Sequence, residues 1–378
     1  MQCDYFDAGL CRSCTLMGVP HEEQVRDKQG TVAAALDLVA PDVRWLEPWV
    51  GPEAGFRNKA KLVVGGVPGD ITLGILGRDG AGIDLQGCGL YPAPLARSFP
   101  VLKEMLDRLQ VPPYDVPRRR GELKHLIITL SPRGELMVRF VLRSRRHLPR
   151  LHEALPRLQA ALPAASVVSV NLQPEHKAIL EGPEEVVLTE RRYLVMDVAS
   201  LPLRLGPGGF FQTQTSGAAA LYETAKGWVG RVGPASVLDL YCGVGGFALA
   251  AAVAAPHAPV HGVEVSAAAV RSARATADEL GLRAATFTCA DAGTARLDAD
   301  LVVVNPPRRG IGDLTERIDS SPARWVIYSS CNVDTLTRDI AAMPAWSVLE
   351  ARLVDMFPQT RHHEVVALLR RGQTVEKL

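Results

Sequence analysis

Two kinds of apolar spacing divide the chain. Through about the first 200 residues, short apolar runs at 61–64, 126–130, 137–142 and 167–172 alternate with polar positions, broken by Gly- and Pro-containing turns at 67–70, 131–134 and 181–183. A period of two places successive side chains on opposite faces, and turns of this composition reverse the chain. This region predicts a mainly antiparallel sheet with helices near 101–110 and 147–162. After residue 209 the pattern changes. A helical stretch at 216–228 leads to an apolar strand at 236–240, a glycine-rich turn and an alanine-rich helix. A strand at 259–264, a helix at 266–280, apolar strands at 301–304 and 325–328 and a closing pair of strands follow. Continuous apolar strands alternating with helices predict a parallel sheet covered on both faces. The expected fold class is α/β: an N-terminal α+β domain over 1–200 and a C-terminal doubly wound, Rossmann-like domain over 201–378.

Composition sharpens this only in part. With 378 residues, 47% hydrophobic and 22% charged, the chain is long enough for two cores and has no low-complexity tract. No apolar run approaches the ~20 residues that span a bilayer, so no membrane partner is expected. The N-terminus carries acids and cysteines where a secretion signal carries a basic segment and an apolar run, so a cytoplasmic location is expected. Net charge is only +1, but residues 118–150 hold ten Lys or Arg against Glu122 and Glu135. Such an excess can neutralise phosphates, or it can be a solvated face.

The first chemical candidate is the stretch 239–247, where a strand hands over to a helix through Gly243, Gly245 and Gly246. Glycines there let the backbone approach a ligand, and Glu264, after the next strand, stands where an acid grips ribose hydroxyls. The loop also fits the dinucleotide fingerprint, so a dehydrogenase is an alternative. Asp239 entering the turn disfavours a pyrophosphate and suits a cofactor bearing a sulfonium and an amino acid. Asn305, Pro306 and Pro307 resemble the loop of amino-group methyltransferases, but Arg308 follows where an aromatic residue would stack on the base. That disfavours an exocyclic amine as target.

Cys331 ends the next apolar strand on the carboxyl side of the sheet, where α/β sites lie. Carbon 5 of uracil is a poor nucleophile. A thiolate added to carbon 6 makes it enolate-like, and a base must then remove the carbon 5 proton. Glu364 is the expected base, with His362 and His363 behind it. Arg308 and Arg309 are expected to lower the thiol's pKa. Cys242 and Cys289 read as packing residues. Seven cysteines, an odd number, argue against a disulfide framework. Cys3, Cys11, Cys14 and the distant Cys88 supply four thiolates for tetrahedral zinc or a [4Fe–4S] cluster, and spacing does not choose between them.

These residues together resemble the uracil-C5 RNA methyltransferases that carry an iron–sulfur cluster, in their 23S rRNA branch. The resemblance spans nearly the whole chain. It rests on Cys3, Cys11 and Cys14, on 55–61 (Gly55, Phe56, Arg57, Asn58, Lys59, Ala60, Lys61), on 120–124, on Phe210 to Thr213, on 239–247, on 305–310, on Ser329 to Asn332 and on Asp355 to Pro358. It implies a class I methyltransferase domain and a [4Fe–4S] cluster on Cys3, Cys11, Cys14 and Cys88. It implies S-adenosylmethionine contacts from Gln212, Tyr241, Glu264 and Asn305, with Asp291 toward the adenine. It supports Cys331 as nucleophile and Glu364 as base, acting on a flipped or unstacked uridine of 23S rRNA, in a monomer. Tyr241 departs from the phenylalanine common in the family, and the chain starts at the cluster cysteines without the extra β-barrel of longer members. The same chemistry on a tRNA uridine, or a non-catalytic iron–sulfur RNA-binding protein, are the alternatives. RNA contacts are expected from 55–61 and 118–150.

Overall fold

The computed structural model describes residues 1–177 and 179–372, which fall into two compact units. The first unit takes in Met1–Met17, Pro52–Met196 and Leu205–Gly208, and the second takes in Gly18–Gly51, Asp197–Arg204 and Gly209 onward. A single cut near residue 200 therefore does not describe the chain. Residues 18–51, assigned by sequence to the N-terminal domain, belong to the C-terminal one.

The first unit is a seven-stranded sheet in the order Gly82–Asp84, Asp70–Leu76, Lys59–Val67, Leu123–Leu130, Leu136–Leu142, Ala165–Leu172, Glu184–Val187. Neighbours are antiparallel except Leu136–Leu142 and Ala165–Leu172, which run parallel. The helix Leu148–Ala161 makes the crossover that a parallel pair requires. With the helix Ser98–Leu109 it covers one face, where Leu62, Val64, Leu102, Leu106, Leu126 and Phe140 form the core.

The second unit carries a nine-stranded sheet. Its main order is Arg44–Trp45, Trp346–Asp355, Glu364–Arg371, Trp325–Ser330, Leu301–Val304, Val237–Leu240, Val260–Glu264, Ala285–Cys289, and Trp49–Val50 also pairs with Trp346–Asp355. The five strands from Ala285–Cys289 to Trp325–Ser330 are parallel, and Glu364–Arg371 inserts antiparallel between Trp325–Ser330 and Trp346–Asp355. From Val237–Leu240 the chain winds outward through Val260–Glu264 to Ala285–Cys289 and then crosses back to Leu301–Val304 on the other side of Val237–Leu240, which makes a topological switch point. In open α/β sheets the ligand crevice lies there, at the carboxyl ends of the strands. Among the described residues no helix is long and apolar enough to cross a membrane.

The helix His21–Asp37 explains why an N-terminal segment joins this unit. Buried Lys28 donates to Asp355 Oδ1 (2.6 Å) and the Phe357 carbonyl (3.0 Å), and His21 Nε2 lies 2.8 Å from Asp355 Oδ2. Gln24 exchanges two hydrogen bonds with Gln359, donating from Nε2 (3.1 Å) and accepting from the backbone N–H (2.8 Å). Three residues of one helix thus fasten the connection 356–363 that leads into Glu364. Burial pushes the Lys28 ammonium below its ordinary pKa, while Asp355 opposes that shift. Lys28→Met leaves a buried carboxylate with only His21 as a partner, and we expect a loss of about 3 kcal/mol in urea unfolding. A change under about 0.5 kcal/mol would show that the contact is dispensable.

Candidate active site

The turn after Val237–Leu240 is shaped by its small residues. Gly245 has φ 90°, and a Cβ on Gly246 would stand 2.3 Å from the Tyr222 ring, so the helix Gly246–Ala254 can start here only on glycine. Tyr241 itself adopts φ 63°, a left-handed conformation that costs a bulky residue energy and is found at sites that over-determine it. Asp239 Oδ2 accepts the Ala248 N–H (2.9 Å) and ties the turn to the helix. Its Oδ1 is buried without a partner, and burial, reinforced by Glu264, pushes the carboxyl up to about 8.

Glu264 ends the next strand. Its Oε2 accepts from Gly243 N–H (3.2 Å) and its Oε1 from Ser266 N–H (2.8 Å). A carboxylate offers about four lone-pair sites, so two remain for ligand hydroxyls. Tyr241 and Asp291 line a cavity of about 410 Å³ with Arg309 and Gly310. Asp291 is turned back on its own loop, accepting from Gly293 N–H at 2.7 Å. Asn305 follows the strand Leu301–Val304 and is half-buried, and Gln212 is buried in the segment before the helix Thr215–Val232. Sequence reasoning missed Gln214, which is fully buried with both side-chain amide atoms unpartnered. Its signal, a polar residue two positions after Gln212, is too weak to find without coordinates.

Cys331 lies between the strand Trp325–Ser330 and the helix Val333–Ala341, whose first turn is capped by Asn332 accepting from Asp334 N–H at 3.2 Å. The helix dipole there favours a negative sulfur. The antiparallel register ends with Ser330 opposite Val365, so Cys331 and Glu364 each lie one residue beyond that last pair, and the Glu364 charge acts on the Cys331 sulfur. Glu364 is buried, its Oε2 has no partner, and burial alone pushes the carboxyl up to about 8. The thiol is raised as well, by burial and then by Glu364, with Arg308 working in the opposite direction. This corrects the expected depressed pKa: the arginine is present but is outweighed. Arg309 is not among the groups acting on the sulfur.

The loop carrying these arginines is held by Asp339, whose Oδ2 accepts from Tyr328 OH (2.8 Å) and Ile311 N–H (2.8 Å). Asn332 Nδ2 donates to the Arg308 carbonyl (3.3 Å) and Arg338 to the Arg309 carbonyl (2.8 Å). Of the runner-up bases, His362 is exposed against Phe357, and His363 is turned by its Nδ1 to the Arg361 carbonyl (3.2 Å) and held below its ordinary pKa by burial. Cys242 is buried beside Gly262, and Cys289 is exposed at a strand end.

In the first unit, Cys14 feels all three other candidate thiols. Burial and then Cys88, Cys11 and Cys3 push it up to about 11, with Arg57 opposing. Gly87 N–H donates to Tyr5 OH (2.9 Å), joining the Cys88 turn to the N-terminal segment, and Gly55 and Arg57 N–H donate to the Gly89 and Leu90 carbonyls (2.9 Å each). Among the described residues, no three or more His, Cys, Asp or Glu side chains are gathered as ligands of one metal ion.

The basic stretch proves only partly free. Arg139 is buried and paired with Glu181 (2.9 Å) and Glu185 (2.7 Å), while Lys124 is buried and donates to Gln173 and the Glu175 carbonyl (2.6 Å). Arg118, Arg143 and Arg145 pair with Asp115, Glu122 and Glu184. Arg119, Arg120 and Arg146 are exposed and enter none of the described ion pairs.

Comparison with known proteins adds three findings. A family model described as the methyltransferase small domain matches residues 217–320. The chain is 46% identical to the 23S rRNA (uracil(747)-C(5))-methyltransferase RlmC of Halothiobacillus neapolitanus, over 98% of this chain and 99% of that one. It is 45% identical to the protein of that name from Yersinia enterocolitica, with the same coverage. Among solved structures, the tRNA (uracil-54, C5)-methyltransferase of Pyrococcus abyssi, crystallised with S-adenosyl-L-homocysteine, superposes with a TM-score of 0.78. It does so at 22% identity, over 94% of this chain and 85% of that one, which is a likeness of fold.

Proposed function

Since the chain belongs to the RlmC family of 23S rRNA (uracil-C5)-methyltransferases, we propose that it methylates carbon 5 of one uridine of 23S rRNA with Cys331 as transient nucleophile and Glu364 as base. The observation that supports this reading is a thiol and a buried carboxyl with an unpartnered oxygen, each one residue beyond the last register pair of neighbouring strands, with the carboxyl acting electrostatically on the sulfur. The uridine must leave its stack to reach that sulfur, at a cost of a few kcal/mol.

S-adenosylmethionine, when bound, supplies an electrophilic methyl group on a sulfonium. The residues present fit it. The orphaned Asp239 Oδ1 suits an ammonium donor, Glu264 keeps lone pairs for ribose hydroxyls, and Tyr241 borders the cavity. Gln212 and Asn305 complete the proposed contacts, with Asp291 at the far end. The Cys331 thiolate forms a bond to uracil carbon 6, and the C5=C6 electron pair moves onto the ring as an enolate. Carbon 5 then takes the methyl group. The Glu364 carboxylate removes the carbon 5 proton, the C–H pair restores the double bond, and the thiolate leaves.

Cys3, Cys11, Cys14 and Cys88 are our proposed ligands of a [4Fe–4S] cluster. The buried Cys14 sulfur is within electrostatic reach of the other three and of Arg57, and four thiols brought this close together suit the cationic core of such a cluster. No step of the reaction passes through it, and its part would be to fasten the segment 1–17 to the Cys88 turn.

Incubation with methyl-labelled cofactor and with separate 23S rRNA and tRNA, followed by nucleoside analysis, tests the reading. Label in 5-methyluridine from 23S rRNA is the expected result. Label only in tRNA, or in another nucleoside, would overturn it.

A further inference from the structure

The first unit contains a cavity that the proposed chemistry does not use. It measures about 490 Å³ and opens over the strands that carry Val63, Leu76 and His125. Its apolar wall is completed by Val116, Ile179 and Leu180, and Val116 and Ile179 are 40% and 45% exposed. Exposed aliphatic side chains around a concavity of this size mark a binding site more often than chance packing.

The polar groups narrow the occupant. Burial and the neighbouring Lys124 hold His125 down to about 4, so at neutral pH its imidazole is uncharged and can both donate and accept. The Tyr114 hydroxyl lies 2.9 Å from His176 Nδ1, and Lys124 Nζ stands 4.7 Å from the centre of the Tyr114 ring. These surroundings suit a flat, uncharged heterocycle with hydrogen-bonding edges. Cations for its anionic backbone stand close in sequence: the wall residue Val116 is followed within four positions by Arg118, which pairs with Asp115, and by the exposed Arg119 and Arg120, and the backbone bridge between Asp115 and Arg120 closes that segment. Lys177, which also lines the cavity, is paired with Glu175.

We propose that this cavity receives an unpaired nucleobase of the RNA substrate, a recognition point separate from the uridine that is methylated. The inference rests on the reading of the chain as an RNA methyltransferase. Sequence-specific RNA recognition uses splayed bases of this kind, stacked on side chains and read at their edges.

The test is a coupling measurement by direct RNA binding. The protein variant is Val116→Asn with Ile179→Asn, which makes an exposed wall polar without adding charge. The RNA is a hairpin of 23S rRNA containing uracil 747, the position in the relatives' names, with each other unpaired nucleotide in turn made abasic. The double variant should bind the intact hairpin about tenfold more weakly, with the same slope against salt, because no phosphate contact is lost. One abasic RNA should weaken the parent protein by a similar factor and bind the variant no worse than the intact RNA does. Unchanged affinity of the variant, or full additivity at every abasic position, would overturn the proposal and leave the cavity to a small molecule. Formation of 5-methyluridine by the parent protein, measured separately, reports on the functional reading alone.

Discussion

Cys331→Ala abolishes methyl transfer, with turnover falling on the order of 10⁴-fold or more, while binding of the cofactor to the folded protein is unchanged. A nucleophile is not partly replaceable: without the bond at carbon 6, carbon 5 never becomes enolate-like, and the residual rate is that of positioning alone. The parent protein should form a covalent adduct with RNA bearing 5-fluorouridine, because carbon 5 then carries no proton for Glu364 to remove. The variant should form none. The pH dependence follows from the site. Burial and Glu364 both raise the thiol above its ordinary value, so the thiolate fraction at neutral pH lies below the roughly 3% of a free cysteine. Adduct formation should climb as the medium is made alkaline. An adduct formed equally well by Cys331→Ala would place the nucleophile elsewhere.

Much of the architecture could be read from spacing, because period-two runs and continuous apolar strands report directly on which faces are buried. The strand Leu301–Val304 has the bounds expected of it, and the helix Leu148–Ala161 lies within the expected 147–162. What could not be read depends on contacts far apart in sequence. His21, Gln24 and Lys28 meet Asp355, Phe357 and Gln359 more than 320 residues away, and nothing in the pattern of the first helix announces it. The same limit affected charge. Residues 118–150 carry a clear excess of Lys and Arg that sequence could read as an RNA contact or a solvated face, yet Arg139 and Lys124 are buried, and their partners Glu181, Glu185 and Gln173 come from a later segment. At the site, residue types identified Cys331 and Glu364 as candidates. Only the antiparallel insertion of Glu364–Arg371 beside Trp325–Ser330 brings them to neighbouring strand ends, and burial, joined at the thiol by Glu364, moves both groups from their ordinary pKa.

That juxtaposition gives Glu364→Gln two effects of opposite sign. The amide has nearly the same shape but cannot accept the carbon 5 proton, so the thiolate cannot leave after methylation. Multiple turnover should fall by about 10³-fold, within the usual span for a lost general base. A methylated protein–RNA adduct should accumulate, visible on a denaturing gel as cofactor-derived label moving with the protein. The substitution also removes a negative charge that raises the Cys331 thiol, so the addition step should reach half its maximal rate at lower pH than in the parent. In the parent, turnover should decline as pH falls through about 8, where the carboxyl takes up its proton. Stability runs the other way. Because folding raises this carboxyl from 4.5 to about 8, its contribution is complete below about 4.5 and is lost as pH rises through 8. Glu364→Gln should therefore unfold at higher urea than the parent above pH 8. Normal turnover in this variant, or label that never accompanies the protein, would remove Glu364 from the proton step and return His363 as the candidate base.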